Sequence, residues 1–167
     1  TSNGRVGIGT DAPSSYDNEG NNLVVYDDTT PGITIALPQT TAAGSARGSI
    51  LFSDGTASDQ KYRGGVIYDH GTGMGGVADT MYIRSAVNNY MVLGPTGNVG
   101  IGTKTPENKL HILTSTTDTS SQLMVQNGST GDAAVKFNVS GQSYVMGIDY
   151  DDSKKFKIAS SSNLGTT

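Results

Sequence analysis

Gly97-Asn98-Val99-Gly100-Ile101-Gly102-Thr103-Lys104-Thr105-Pro106 repeats a stretch that stands at the start of the chain, Gly4-Arg5-Val6-Gly7-Ile8-Gly9-Thr10-Asp11-Ala12-Pro13, with seven of the ten positions identical. In both copies a β-branched residue alternates with glycine, so one face of an extended segment carries Val and Ile while the other carries no side chain. Glycine inside a strand costs stability and packs against nothing, so its repetition points to a second backbone passing very close. The chain therefore reads as a repeat array in which this stretch is the junction between units.

Working outward, each junction leads into a similar order of short apolar runs. After the first come Leu23-Val24-Val25-Tyr26, an alternating run over residues 33–37, a run over 48–53, another over 62–69, then 81–87 and 90–93, with turn signals at Pro31-Gly32, Asp54-Gly55, Asn88-Asn89 and Gly94-Pro95. Arg63-Gly64-Gly65 suggests a bulge or a close backbone approach. After the second come runs over 109–113, 122–126, 133–139, 144–150 and 155–160. The alternation places Val135, Phe137 and Val139 inside and Lys136 and Asn138 outside. The first unit is longer mainly at residues 57–64 and 70–80, which read as loops grafted on a shared frame. Gly and Pro are too closely spaced for any long helical period, so the expected fold is all-β, built of small antiparallel units. The expected division is 1–13 as the end of a preceding repeat, 14–96 as a repeat with loop insertions, 97–106 as the junction, and 107–167 as a second repeat, incomplete at its C-terminus. On this reading the sequence is a fragment of a longer array.

Composition agrees with a thin subunit. Leu, Ile, Val and Phe make up only about 20 % of the residues, yet the charged fraction is 16 % and the net charge −4, so the chain is not a self-repelling coil. With 23 Gly and so few core residues, association between subunits is the natural source of the missing burial. The absence of Cys excludes disulfides and fits assembly in a reducing compartment. His70 and His111 are too far apart in sequence to suggest a structural metal, and no cofactor motif stands out. A pI near 4.9 and the lack of a basic cluster beyond Lys154-Lys155 argue against nucleic acid, and no apolar run reaches the length of a membrane span. No signal-peptide pattern is present.

The second junction, with Pro106 and Lys109-Leu110-His111-Ile112 after it, resembles the signature that recurs in the tail-fibre and tail-spike proteins of bacteriophages and in related viral fibres. Val135-Lys136-Phe137, Gly147-Ile148-Asp149 and Lys155-Phe156-Lys157-Ile158 are similar to the strands between such signatures. The first repeat departs at its insertions and lacks the Lys-Leu-His piece. The resemblance implies an elongated fibre, an intertwined parallel homotrimer of the virion that is extracellular when mature. Its partners would be copies of itself, other fibre or tail proteins of the virion, and host-surface glycans. The implied role is a structural shaft or spacer contributing to host attachment, with no catalysis. A polysaccharide-cleaving tail spike and a bacterial surface adhesin built on the same repeat are the alternatives.

Candidate residues follow from these readings. Val6, Gly7, Ile8, Gly9, Val99, Gly100, Ile101 and Gly102 form the expected trimer interface, with Val and Ile pooled at a shared centre and Gly giving backbone clearance. Packing of Val99 and Ile101 within their own subunit is the plainer alternative. Tyr68, His70, Met74 and Tyr82, on or beside a Gly-rich loop, form the expected receptor-contact loop, since aromatic faces suit sugar rings; ordinary strand tyrosines beside a surface loop are the alternative. The Gly-x4-Gly-Thr-Lys spacing at 97–104 imitates a phosphate loop, but Thr103 precedes the lysine and Pro106 follows. Asp149, Asp151 and Asp152 lack the glycine and distal glutamate of a calcium loop and fit a hairpin turn. His111 reads as a packed or interface histidine.

Overall fold

Runs of alternating apolar residues become strands where a turn or a neighbouring segment supplies a hydrogen-bonding partner. In the computed structural model, which describes residues 4–16, 20, 22–37, 46–86, 88–115, 117 and 119–165, the strands are β1 (Val6–Ile8), β2 (Leu23–Val25), β3 (Arg47–Phe52), β4 (Gly64–Asp69), β5 (Thr80–Ser85), β6 (Asn88–Leu93), β7 (Val99–Ile101), β8 (Leu110–Ile112), β9 (Ala133–Val139), β10 (Gln142–Asp149) and β11 (Lys155–Ala159). The helical elements among the described residues are two 3-10 turns, Pro13–Ser15 and Ser58–Tyr62. The fold is all-β.

The chain divides into two compact units, Thr1–Leu113 and Thr114–Thr167. The first holds a two-stranded sheet, β1-β2, and a six-stranded sheet in the order β3-β4-β5-β6-β7-β8. Strands β3 to β7 form an antiparallel meander, whereas β7-β8 and β1-β2 pair in parallel. The second unit is a three-stranded antiparallel meander, β9-β10-β11.

Several local expectations are corrected. Residues 33–37 alternate as a strand would but form no strand with the described residues; Ile35 and Leu37 instead lie within 3.4 and 3.6 Å of where Gly48 would carry a Cβ. Residues 122–126, the corresponding segment of the second unit, likewise form no strand. Tyr62 belongs to a 3-10 turn, and the register shift of the sheet lies between Ile83 and Arg84; Arg63-Gly64-Gly65 holds no bulge but does hold the close backbone approach, a Cβ on Gly65 standing 2.6 Å from Ile50 O. Asn88 and Asn89 are already in β6, with the backbone reversing at Ala86, whose φ is 45°. Most of residues 39–47, and Val87, lie outside the described residues.

The six-stranded sheet has a covered face and an open one. On the covered face Ile67, Tyr82 and Val92 occupy one row across β4, β5 and β6, and Met74, from the loop between β4 and β5, completes a core of four. Burial is thorough there: Tyr82 is 0 % and Val92 1 % exposed. In the second unit Val145 and Leu164 are the buried apolar residues.

Candidate functional site

The repeated junction is one structural module used twice. In the second copy β7 runs into a connection over residues 102–109 and returns as β8, parallel to it, with Val99, Gly100 and Ile101 opposite Leu110, His111 and Ile112. In the first, Val6, Gly7 and Ile8 stand opposite Leu23, Val24 and Val25 after a longer connection. Parallel neighbours usually need a crossover of about a dozen residues or more, commonly a helix; the second connection is shorter and contains none. The flanking bonds also correspond. Val99 N–H donates to Lys109 O at 2.9 Å and Val6 N–H to Asn22 O at 2.8 Å, while Leu113 N–H reaches Ile101 O at 2.9 Å and Tyr26 N–H reaches Ile8 O at 2.8 Å. Thr103 and Thr10 each accept through Oγ1 from the N–H two residues on, both at 3.2 Å.

This geometry explains the glycines. Gly102 and Gly9 have φ of 75° and 77°, and a Cβ on them would stand 2.1 Å from Leu113 O and 2.0 Å from Tyr26 O. At Gly100 and Gly7 a Cβ would stand 2.5 and 2.2 Å from the carbonyl oxygens of Thr103 and Thr10. The close backbone expected from the sequence is the chain's own. Clearance is used to fold each connection back over its strand, which leaves Val and Ile, not Gly, to face outward.

Those apolar residues join a larger surface. Across the six-stranded sheet, Ile50, Val66, Ile83, Met91, Ile101 and Ile112 stand opposite one another in a single row, one from every strand. Beside it run Tyr68, Met81, Leu93, Val99 and Leu110. Of the first row, Ile50, Val66, Ile83 and Ile101 are exposed. The second unit repeats the pattern. Val135, Met146 and Ile158 share one row, flanked by Ala133, Ile148 and Phe156 on one side and by Phe137 and Tyr144 on the other. Val139 is 76 % and Ile158 71 % exposed, so the side expected to lie inside is open in the single chain.

Superposing the registers at the last residues of β4 and β10, Asp69 and Asp149, pairs Ile50 with Val135, Phe52 with Phe137, Val66 with Met146, Tyr68 with Ile148, Met81 with Phe156 and Ile83 with Ile158. Each of these six paired positions is apolar or aromatic in both units. On the other face Leu51 faces Lys136, Tyr82 faces Lys157 and Arg84 faces Ala159 in the same superposition, so its chemistry diverges.

The four residues expected to contact a receptor do not form one surface. Tyr82 and Met74 belong to the core, and Tyr82 is fully buried. Burial, with the nearby Asp69 charge, raises the Tyr82 phenol above its usual range. Tyr68 and His70 stand edge to face with ring centroids 4.6 Å apart, and both meet Asp79 Oδ1 at 3.2 Å. His111 lies in the row of Gly100 and Val92, opposite the apolar face, and its Nδ1 accepts the Glu107 N–H at 3.4 Å. Lys104 is engaged with the Met74 carbonyl.

Two carboxylates are buried, Asp69, which the sequence did not single out, and Asp149, which takes part in the expected hairpin turn. Asp69 and Asp149 end equivalent strands and are 0 % and 1 % exposed. Asp69 accepts from Gly71 and Met74 N–H at 3.1 and 2.8 Å, and Asp149 from Asp151 and Asp152 N–H at 3.0 and 3.1 Å. Each thereby organises the turn that follows its strand. Asp149 and Asp152 also share Lys157, each at 2.8 Å. The available signal was an aspartate at the end of an apolar run in both repeats.

No protein-family model and no curated protein matches the chain.

Proposed function

We propose that this chain is a shaft segment of a homotrimeric viral fibre, of the bacteriophage tail-fibre kind, whose subunits meet through the open apolar face. The observation that carries the reading is the row of Ile50, Val66, Ile83, Met91, Ile101 and Ile112 across six strands. Soluble monomers rarely leave an apolar surface of that extent uncovered, and covering it is worth roughly 25 cal/mol for each Å² removed from water.

The partner presenting a matching surface at a matching spacing is another copy of the same chain, because both units carry the same apolar positions. Three copies rather than two follow from the likeness of the Gly97–Ile112 stretch to tail-fibre repeats. On this reading the junction modules set the spacing of units along the fibre, and the segment transmits distance and load rather than performing catalysis. Analytical ultracentrifugation of the purified chain tests it: a sedimenting species of three times the chain mass is expected, and a stable monomer across micromolar concentrations would overturn it.

A further inference from the structure

The two insertions that set the first repeat apart from the second meet at one recess. The first forms the 3-10 turn Ser58–Tyr62, and the second is the loop between β4 and β5. Tyr62 from one and Met74 from the other wall a cavity of about 390 Å³, whose remaining lining is Arg47, Ser49, Leu51, Ile67 and Arg84. This volume lies within the range of small-molecule sites, roughly 300–1,000 Å³. Strand alternation puts Arg47, Ser49 and Leu51 on the side opposite Ile50 and Phe52, so the recess opens away from the apolar row and stays accessible when that row is covered.

Its chemistry is specific to the first repeat. At the registers of Arg47, Ser49, Leu51, Ile67 and Arg84 the second unit has Asp132, Ala134, Lys136, Gly147 and Ala159. Two guanidinium groups are thus present in a chain of net charge −4, at a place where the other repeat has none. Arg84 is held in position from three sides: its Nε donates to Asn89 Oδ1 at 3.2 Å, its guanidinium carbon lies 5.5 Å from the centroid of the Tyr62 ring, and Nη2 is 3.9 Å from Met74 Sδ. These contacts engage part of a fork with five N–H donors and fix its plane, which suits bidentate binding of a carboxylate. Arg47 stands 3.9 Å from the buried Asp69, which also takes two backbone N–H groups, so the recess retains a positive balance. Leu51, Ile67 and Met74 supply an apolar lining for the body of a ligand.

We infer that this recess binds a small organic acid, a carboxylate on a ring-sized body, with Arg84 anchoring the carboxylate and Arg47 as the second cation. An acidic saccharide and an aromatic carboxylic acid share that chemistry. The inference does not depend on the number of subunits in the fibre.

The test is isothermal titration, with ligand-observed saturation-transfer NMR, on the purified full chain. The probes are a uronic-acid disaccharide, isophthalate, neutral cellobiose and inorganic sulfate. Binding of either organic acid with cellobiose silent is the expected result, and which acid binds identifies the source. Arg84→Ala should weaken binding by about tenfold or more, and Arg84→Lys by several-fold because the fork is lost. Ser49→Phe, which fills the recess without removing a charge, should abolish binding in a chain whose NMR spectrum shows it folded. Lys136→Ala, in the second unit, should leave affinity unchanged. The inference is overturned if neither acid binds at roughly 10 mM, if cellobiose or sulfate binds as tightly as the acids, or if folded Ser49→Phe binds like the parent chain.

Discussion

Lys104 donates from Nζ to the carbonyl oxygen of Met74 at 2.7 Å, joining the second junction to the glycine-rich loop that closes the core of the first unit. Met74 packs with Ile67, Tyr82 and Val92, so the bond joins the Asp69 hydrogen bonds to Gly71 and Met74 N–H in holding the loop in place. The first junction has Asp11 where the second has Lys104. Lys104→Ala removes one charge-assisted bond and is expected to cost about 1–2 kcal/mol. Denaturant unfolding checks the magnitude, and hydrogen exchange should show amides 71–77 opening faster while those of β9 and β10 do not change. Unaltered protection of the loop would show that packing of Met74 alone holds it.

The apolar row makes a prediction about assembly that differs from one about folding. Ile83 sits at the middle of the row and Ile158 at its counterpart in the second unit, and both are exposed in the single chain. A substitution at a surface position away from special features costs within about 0.5 kcal/mol of folding stability. Burying an unpaired carboxylate at an interface costs far more. Ile83→Asp, Ile101→Asp and Ile158→Asp are therefore expected to release monomers or aggregates in sedimentation while retaining strand content by circular dichroism. Lys136→Asp, on the other face of β9, should leave the assembly intact. An unchanged trimer in all three isoleucine variants would remove this face from the interface.

Gly102 and Gly141 separate two roles that glycine can play. Both have positive φ, 75° and 87°, but a Cβ at Gly102 would meet Leu113 O at 2.1 Å, whereas nothing lies within 4 Å at Gly141. Gly141→Ala should pay only the left-handed backbone cost, about 1–2 kcal/mol. Gly102→Ala must also displace the carbonyl that follows β8, so a loss of at least about 3 kcal/mol is expected. Thermal unfolding of the two variants gives the comparison. Equal losses would mean that the close approach in the junction relaxes easily.

What could be read from the sequence followed from local pattern. The runs 133–139 and 155–160 and Leu23-Val24-Val25 became strands because their alternation is bracketed by turn residues and their partners are near in the chain or, for Leu23, fixed by the junction. Residues 33–37 alternate just as well and form no strand, because alternation describes a face and says nothing of whether an edge is free to receive it. The parallel pairing of β7 with β8 was hidden for the same reason: the repeated Val-Gly-Ile shows that some backbone comes close, but not which one. Tyr82 and Met74 looked exposed beside a glycine-rich loop; the loop folds over the sheet, and the two residues that seemed displayed became the core. Asp149 read correctly as part of a hairpin turn, but only the registers reveal that Asp69 is its equivalent, and only the packing shows that both are buried. The open apolar face was legible in part, since Val99 and Ile101 were assigned to one side, but the row they belong to is made by six strands and by no single segment.

The carboxylates around Lys157 give the second unit an acid limit. The bond from Lys157, then that from Lys155, holds the Asp152 carboxyl at about 2, down from its ordinary 3.8. Asp149 is also lowered, first by Lys157 and then by the Asp152 N–H, and Lys157 is raised above its ordinary range, first by Asp149 and then by Asp152. A carboxyl whose pKa falls on folding contributes its full stability above the unfolded value and loses it as the pH drops toward the folded one; a lysine whose pKa rises contributes below its unfolded value and loses this as the pH climbs through the folded one. The three-stranded unit is therefore expected to keep this contribution through neutral pH and to lose it between about pH 4 and pH 2, and again above about pH 10.5. Because Asp152 is partly exposed, added salt should shallow the acid slope. Lys157→Met returns both carboxyls toward their ordinary range, so its stability should depend less on acid than that of the parent chain. Melting temperatures of the two proteins from pH 2 to pH 7, followed by the NMR signals of β10 and β11, decide the matter: parallel acid slopes would show that the backbone N–H groups at Asp149 and Lys155 at Asp152, and not Lys157, hold these carboxylates ionised.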